Sequence, residues 1–337
     1  MDSVDIEQPA ILLAYLRRNG RIADDEYPRI RVLHGGVSNK TVLVERGGGE
    51  GWVLKQALAK LRVPVDWFSD PMRLHREASA LRWLGRLAPR GAVPRLIFED
   101  FVHHVLCMEA VQQPHENWKE KLLSGRVEPD EVEQFGTLLG EIHLRTAQHL
   151  DALRPEFGGR EFFESLRIEP YYLYAAEQEP AAASFLERLV DETRSIATTL
   201  THGDFSPKNV LVREGRLKLL DFEVAHIGDP AFDIGFSLAH LLSKAHHLAE
   251  NREELLDAIG TYWDAYRAAV GAAAFAEGLE ERAVRHTCGC LVARARGRSQ
   301  LEYLSDAEKD RQVAVVLRLL PGPRSVGELR DSFAALV

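Results

Sequence analysis

The sequence predicts an α+β chain of two unequal lobes, a small β-rich part followed by a large, mainly helical one. Three observations carry this expectation. At 337 residues, 45% hydrophobic and 28% charged, the chain exceeds one average domain and can bury a sizeable core. Residues 1–110 hold five short apolar runs separated by glycine turns or polar bends, as antiparallel strands require. Residues 111–337 carry apolar positions mostly at helical spacing, so the boundary is drawn at residue 110.

Taken in order, Ile6 to Arg18 reads as a helix with Ile11, Leu12, Tyr15 and Leu16 on one side. The stretch "RIRVLHGGVSNKTVLVERGGGEGWVLKQA" reads as strand, turn, strand, turn, strand, with glycines at 35–36 and 47–49 as punctuation. "SDPMRLHREASALRWLGRL" is a helix, with Asp70 as N-cap, Pro71 at the first helical position, and Leu74, Ala78, Leu81 and Leu84 in register. "VPRLIFEDFVHHVLCMEAV" alternates as two further strands around a bend. Helical segments follow at "DEVEQFGTLLGEIHLRT", "AAASFLERLVDETRSIA", "FDIGFSLAHLLSKAHHLA", "REELLDAIGTYWDAYRAAV" and "EERAVRHTCGCLVARA". The exception is a hairpin spanning Asn209 to Phe222, with its turn at Glu214-Gly215.

Composition narrows the function classes. The net charge of -9, from 42 basic and 51 acidic residues, disfavours a nucleic-acid partner. That acidity lies in residues 111–337, and it permits a cationic substrate. No apolar run approaches the ~18 residues of a membrane span, and the opening MDSVDIEQ lacks the basic region of a signal peptide. Cys107, Cys288 and Cys290 are too few for a disulfide framework, and Cys-x-Cys lacks zinc-knuckle spacing. The expectation is a soluble, unprocessed cytoplasmic protein with reduced thiols and no membrane partner.

The hairpin carries three polar residues that strand formation does not need. With the turn at Glu214-Gly215, Val210, Leu211 and Val212 pair with Leu219, Lys218 and Leu217, and Asn209 comes to lie beside Leu220, next to Asp221. An amide oxygen and a carboxylate at one hairpin end form a hard-oxygen pair suited to Mg²⁺, with waters and phosphate oxygens completing an octahedron. Asp204, in the preceding loop, is free for another task. Singly, these residues read as turn and cap residues. The pattern H-x-D-x-x-x-x-N followed by a strand-end Asp, here His202, Asp204, Asn209 and Asp221, is the catalytic-loop and metal-loop arrangement of kinases. There the first Asp orients and deprotonates the acceptor hydroxyl, while Asn and the second Asp hold metal against the ATP phosphates.

The first part supplies the companions. "WVLK" sets Lys55 near the end of the third strand, where a kinase needs a cation for the phosphates. Glu77 falls on the apolar stripe of its helix, three residues after Leu74 and four before Leu81, so a buried partner is required, and Lys55 is the natural one. The turn Gly35, Gly36, Val37, Ser38, Asn39 joins the first two strands where a kinase covers the phosphates. Such a turn also closes an ordinary hairpin. "CMEAV" follows the last strand where adenine needs backbone partners, and the Glu109 carbonyl and Val111 amide are the expected pair, a bare interlobe linker being the other reading. No G-x-x-x-x-G-K-[ST] is present, which disfavours a P-loop enzyme.

With these residues in hand, the chain resembles the aminoglycoside phosphotransferase family, the kinase-like small-molecule enzymes that include methylthioribose kinases. The resemblance rests on "GGVSN", "VLKQA", the Glu77 helix, "HGDFSPKN" and "LDFEVAHIGDPAFDIG", and so covers most of the chain. It implies a protein-kinase-like fold and an ATP- and Mg²⁺-dependent transfer of the γ-phosphate to a hydroxyl of a small molecule. It implies structural roles for Asp229 and Asp233, which pack the metal loop on the next helix, and a bracing role for His202. Glu223 lies on the Asp221 face if the strand continues, a candidate for a second metal through water. Lys208 is either a γ-phosphate contact or a solvated loop lysine. Within the same fold the alternatives are a methylthioribose kinase or a choline or amino-alcohol kinase; outside it, a catalytically silent nucleotide-binding regulator or, more distantly, a metal hydrolase. Methylthioribose kinases carry an adjacent arginine pair on a late helix. The similar place here reads Ala293-Arg294, with Arg296 about 200° around the helix from Arg294, so methylthioribose is expected to be a poor substrate.

Overall fold

A computed structural model of the chain describes residues 4–33, 36–63, 66–320 and 322–337. Five antiparallel strands, β1 (Arg29–Leu33), β2 (Asn39–Glu45), β3 (Gly51–Ala57), β4 (Leu96–Asp100) and β5 (Val105–Glu109), form one sheet in the order β1-β2-β3-β5-β4. Strand alternation sorts their side chains. Trp52 and Leu54 of β3 enter a core with Val42, Val44, Val105 and Cys107, closed by Leu12, Tyr15 and Leu16 of the helix Pro9–Arg18. Lys55, one residue on, therefore faces the opposite side, where the helix Arg73–Leu87 packs through Leu74, Ala78, Leu81 and Leu84. Those residues join Leu106 and Met108 to the core of the large lobe, while Thr41, Leu43, Val53 and Lys55 on the same face border a cavity.

The helix begins at Arg73 rather than at Pro71. Asp70 caps the turn before it, accepting from the Met72 N–H at 2.9 Å. Beyond the sheet come mostly helices, among them Pro129–Ala147, Pro180–Ser195, Pro230–His247, Arg252–Val270 and Leu279–Arg296, then Asp306–Leu319 and Val326–Ala334. Pro129–Ala147 and Arg252–Val270 approach closely through Gly136 and Gly140, where a Cβ would run into the Tyr262 and Tyr266 carbonyls. No helix among the described residues is long and apolar enough to cross a membrane, and all three cysteines are buried and free.

Short strands inside the helical lobe position its loops. β6 (Glu116–Asn117), β8 (Val210–Arg213) and β9 (Arg216–Leu219) form one sheet. The β8–β9 register pairs Val210 with Leu219 and Val212 with Leu217, across a turn in which Glu214 and Gly215 both have positive φ, 52° and 69°. The hairpin is shorter than Asn209 to Phe222: β9 ends at Leu219, although the Leu220 N–H still reaches the Asn209 carbonyl at 2.9 Å. A second pair, β7 (Thr199–Thr201) with β10 (His226–Gly228), escapes sequence reading because each strand has only three residues.

Candidate active site

β7 delivers the chain into His202-Gly203-Asp204, and hydrogen bonds from the Pro230–His247 helix fix that loop. Asp233 accepts the His202 N–H at 2.6 Å and the Gly203 N–H at 2.8 Å. Its carboxylate also meets His143 Nε2 at 3.2 Å, and His143 Nδ1 lies 2.9 Å from the Tyr266 hydroxyl. Gly203 has φ +77°, and a Cβ there would press on Val224 at 2.8 Å, so only glycine fits. His202 Nδ1 accepts from the Asp204 N–H at 3.1 Å, which leaves Nε2 to donate to the Leu220 carbonyl at 3.1 Å. Burial holds this imidazole below its usual pKa, so it braces the loop as a neutral ring. Asp229 caps the helix, accepting from the Ala231 N–H at 3.0 Å, and pairs with Arg282 at 3.2 Å.

Asp204 Oδ2 receives Asn209 Nδ2 at 2.7 Å and Arg167 Nη2 at 3.0 Å. Asp204 Oδ1 has no protein donor among the described residues, and Asp204 lines the cleft. Because Asn209 spends its amide nitrogen on Asp204, its Oδ1 is left as an oxygen donor, and Asp221 likewise keeps Oδ2 free of protein donors. Asp221 has φ +70°, a conformation that aspartate tolerates better than most residues and that turns it out of the strand line.

Lys55 Nζ lies 2.8 and 3.1 Å from the two Glu77 oxygens and 2.7 Å from Asp221 Oδ1. Glu77 is wholly buried. Burial pushes the Glu77 carboxyl upward against the pull of Lys55. Burial also opposes charge on Lys55 and Asp221, but their attraction prevails: the lysine is raised, and Asp221 is held down to about 2. No group of three or more His, Cys, Asp or Glu side chains that could hold a metal occurs among the described residues. An Asn and an Asp suit a hard cation that takes its remaining ligands from phosphates and water.

Lys55, Arg167, Asp204, Asn209 and Asp221 line a cavity of about 1330 Å³ between the lobes. Gly36, Val37 and Ser38 border it, as do Glu109, Val111 and Lys208; Gly35 lies outside the described residues. The Glu109 N–H is taken by the Arg95 carbonyl at 2.9 Å. Two expectations need correction. Asn39 is not on the cavity wall: its Nδ2 donates to Glu223 Oε2 at 3.0 Å. Glu223 is not on a strand face beside Asp221, since the chain turns after β9, and its carboxylate is held by Asn39 and by Arg73 Nε at 3.1 Å.

Sequence reasoning missed Arg73 and Arg167. Arg73, fully buried, donates to the Ser69, Asp70, Ser38 and Leu58 carbonyls as well as to Glu223, which joins the two lobes. Its signal was available: it precedes Glu77 by four residues, so both charges lie on the buried helix face. Arg167 sits in a π-helical run, Glu164–Leu173, and also donates to the Gly203 carbonyl at 2.6 Å. Burial opposes its charge, but Asp204 outweighs that and raises it.

Methylthioribose kinase of Yersinia pseudotuberculosis is 26% identical over 290 residues, 75% of this chain and 71% of that one. In fold the chain is similar to choline kinase from Cryptosporidium parvum Iowa II, at 11% identity and TM-score 0.56, covering 96% of this chain and 99% of that one. It is also similar to amicoumacin kinase in complex with AMP-PNP, Ca²⁺ and Ami, at 14% identity and TM-score 0.56, covering 96% and 97%. The model of the phosphotransferase enzyme (APH) family matches residues 29–273, and the chain belongs to that family.

Proposed function

We propose that the protein transfers the γ-phosphoryl group of ATP to a hydroxyl of a small molecule, in the cleft between a nucleotide-binding lobe (1–110) and a catalytic and substrate-binding lobe (111–337). The observation that carries this is the meeting of Lys55, Glu77 and Asp221 beside Asp204 and Asn209, residues drawn from both lobes. Asp204 Oδ1 is the base that takes the acceptor's proton, while Arg167 and Asn209 fix the carboxylate through Oδ2. Lys55, oriented by Glu77, meets the phosphates, and the 36–38 turn covers them. The Glu109 carbonyl and Val111 N–H receive adenine. Asn209 Oδ1 and Asp221 would hold Mg²⁺, which when bound neutralises phosphate charge. Lys208, exposed on the cleft wall, is free to approach the transferring group. The complex of a similarly folded kinase with AMP-PNP supports an adenine nucleotide in this cleft.

The likeness to methylthioribose kinase raises that acceptor as a second reading. Against it, Arg294 and Arg296 diverge as the helical geometry requires. Arg294 lines the cavity, whereas Arg296 turns away to Asp310 at 2.6 Å and Glu179 at 3.7 Å. Methylthioribose is therefore expected to give kcat/KM below roughly 10⁴ M⁻¹s⁻¹, and a higher value would favour the second reading. ADP release with Mg-ATP against sugars, amino alcohols, aminoglycosides and thio-sugars tests the class. Stimulation by one hydroxyl compound is expected; nucleotide binding without turnover of any compound would indicate a silent regulator instead.

A further inference from the structure

The acceptor end of the cleft is less acidic than the lobe that builds it. Its wall includes Arg167, Tyr171, His240, Arg294, Arg298 and Ser299. Most cations there already have a carboxylate: Arg167 has Asp204 at 3.0 Å, Arg298 has Glu169 at 2.9 Å, and Lys119 has Glu302 and, at 3.6 Å, Glu120. Arg294 differs. It is only 8% exposed, and its Nη1 donates to the Tyr171 hydroxyl at 3.0 Å, to Ser299 Oγ at 2.9 Å and to the Ser299 carbonyl, all of them neutral groups. Its Nε is buried without an acceptor, and no carboxylate pairs with it among the described residues. A buried guanidinium lacking a counter-charge is costly unless an anion arrives.

Neighbouring groups respond to the same excess of positive charge. Lys244, fully buried with its Nζ on the His240 carbonyl at 3.3 Å, also lacks a carboxylate partner among the described residues. Burial, Lys119 and Arg294 depress it to about 7, Glu302 and Glu120 acting in the other direction. His240, which borders the cavity, is pushed down by burial and then by Lys244, Arg294, Lys119 and Lys208. Arg294 shares one phenol ring with the arginine that holds Asp204: the Arg167 and Arg294 guanidinium carbons lie 5.3 and 5.5 Å from the Tyr171 ring centroid.

We propose that the acceptor carries a carboxylate or phosphate as well as its hydroxyl, and that Arg294 receives that anion while the hydroxyl lies at Asp204. This deepens the phosphotransferase reading and rests on it. It disfavours the cationic acceptors that the overall acidity of residues 111–337 permits.

The test compares matched pairs with Mg-ATP: glycerate against glycerol and gluconate against sorbitol for the carboxylate, ribose 5-phosphate against ribose for the phosphate, with choline as a cationic control. The anionic member of a pair is expected to have at least about tenfold higher kcat/KM, and the pair that responds separates carboxylate from phosphate. R294M should raise the KM of that compound by about 10- to 100-fold, with a smaller change in kcat, unchanged KM for Mg-ATP, and partial recovery in R294K. A preference for the neutral or cationic compounds, or an unchanged KM in R294M, overturns the proposal. Should R294M fail to fold, the wild-type comparison decides alone. If no compound is phosphorylated, the phosphotransferase reading is in doubt, and inorganic phosphate titrated into the wild type with Mg-AMP-PNP still decides the anion site. Saturable binding supports it, and none overturns it.

Discussion

Replacing Arg73 with Met removes five hydrogen bonds from a fully buried guanidinium and leaves Glu223 facing Asn39 alone. Breaking a buried ion pair from one side typically costs ~3–5 kcal/mol, because a charge is left uncompensated. Four of the five acceptors are backbone carbonyls close to loops that water can reach after substitution, so the pair with Glu223 sets most of the loss. With an unfolding entropy of roughly 2.1 cal/mol/K per residue, that loss lowers Tm by about 4–7 °C for a chain of this length unfolding cooperatively. R73M/E223M leaves no lone charge, so it should melt above R73M by at least about 1 °C despite carrying a second substitution. Since Arg73 also holds the Ser38 carbonyl, R73M should raise the KM for Mg-ATP as well. Calorimetric melts of the wild type, both single variants and the double variant decide it. R73M melting within about 1 °C of the wild type, or a double variant less stable than R73M, would refute the interlobe role.

Asp221→Ala should abolish the enhancement of ATP binding by Mg²⁺ while the fold persists; calorimetry of ATP with and without Mg²⁺ tests this, and an undiminished enhancement would count against Asp221 as a ligand. Lys55 holds the Asp221 pKa at about 2, against an ordinary 3.8, so the stability Asp221 contributes is whole above about pH 4 and lost as pH falls toward 2. D221N should therefore show a shallower fall in urea midpoint between pH 4 and pH 2 than the wild type; parallel falls would contradict the pairing.

The parts of the site legible in the sequence are those whose chemistry conflicts with local structure. Glu77 stands out because a carboxylate interrupts an apolar helical stripe, and the structure buries it against Lys55. The β8–β9 register follows from the glycine turn and alternation, which brings Asn209 beside Leu220. Glu223 was misread because its partners, Arg73 and Asn39, are distant from it in sequence, by 150 and 184 positions. Arg167 was invisible for a different reason: a π-helical run has no sequence period of its own to reveal which face meets Asp204. The three-residue β7 and β10 are too short for alternation to register.

In the proposed reaction Asp204 deprotonates an acceptor hydroxyl for attack on ATP bound in this cleft. Transfer of label from [γ-³²P]ATP to the responding acceptor, measured for the wild type and Asp204→Ala with the affinity for Mg-ATP taken in parallel, tests it most directly. General-base loss predicts turnover lower by ~10²–10⁴-fold with nucleotide affinity nearly unchanged. Turnover above about half the wild-type rate in the Asp204→Ala protein would contradict the claim.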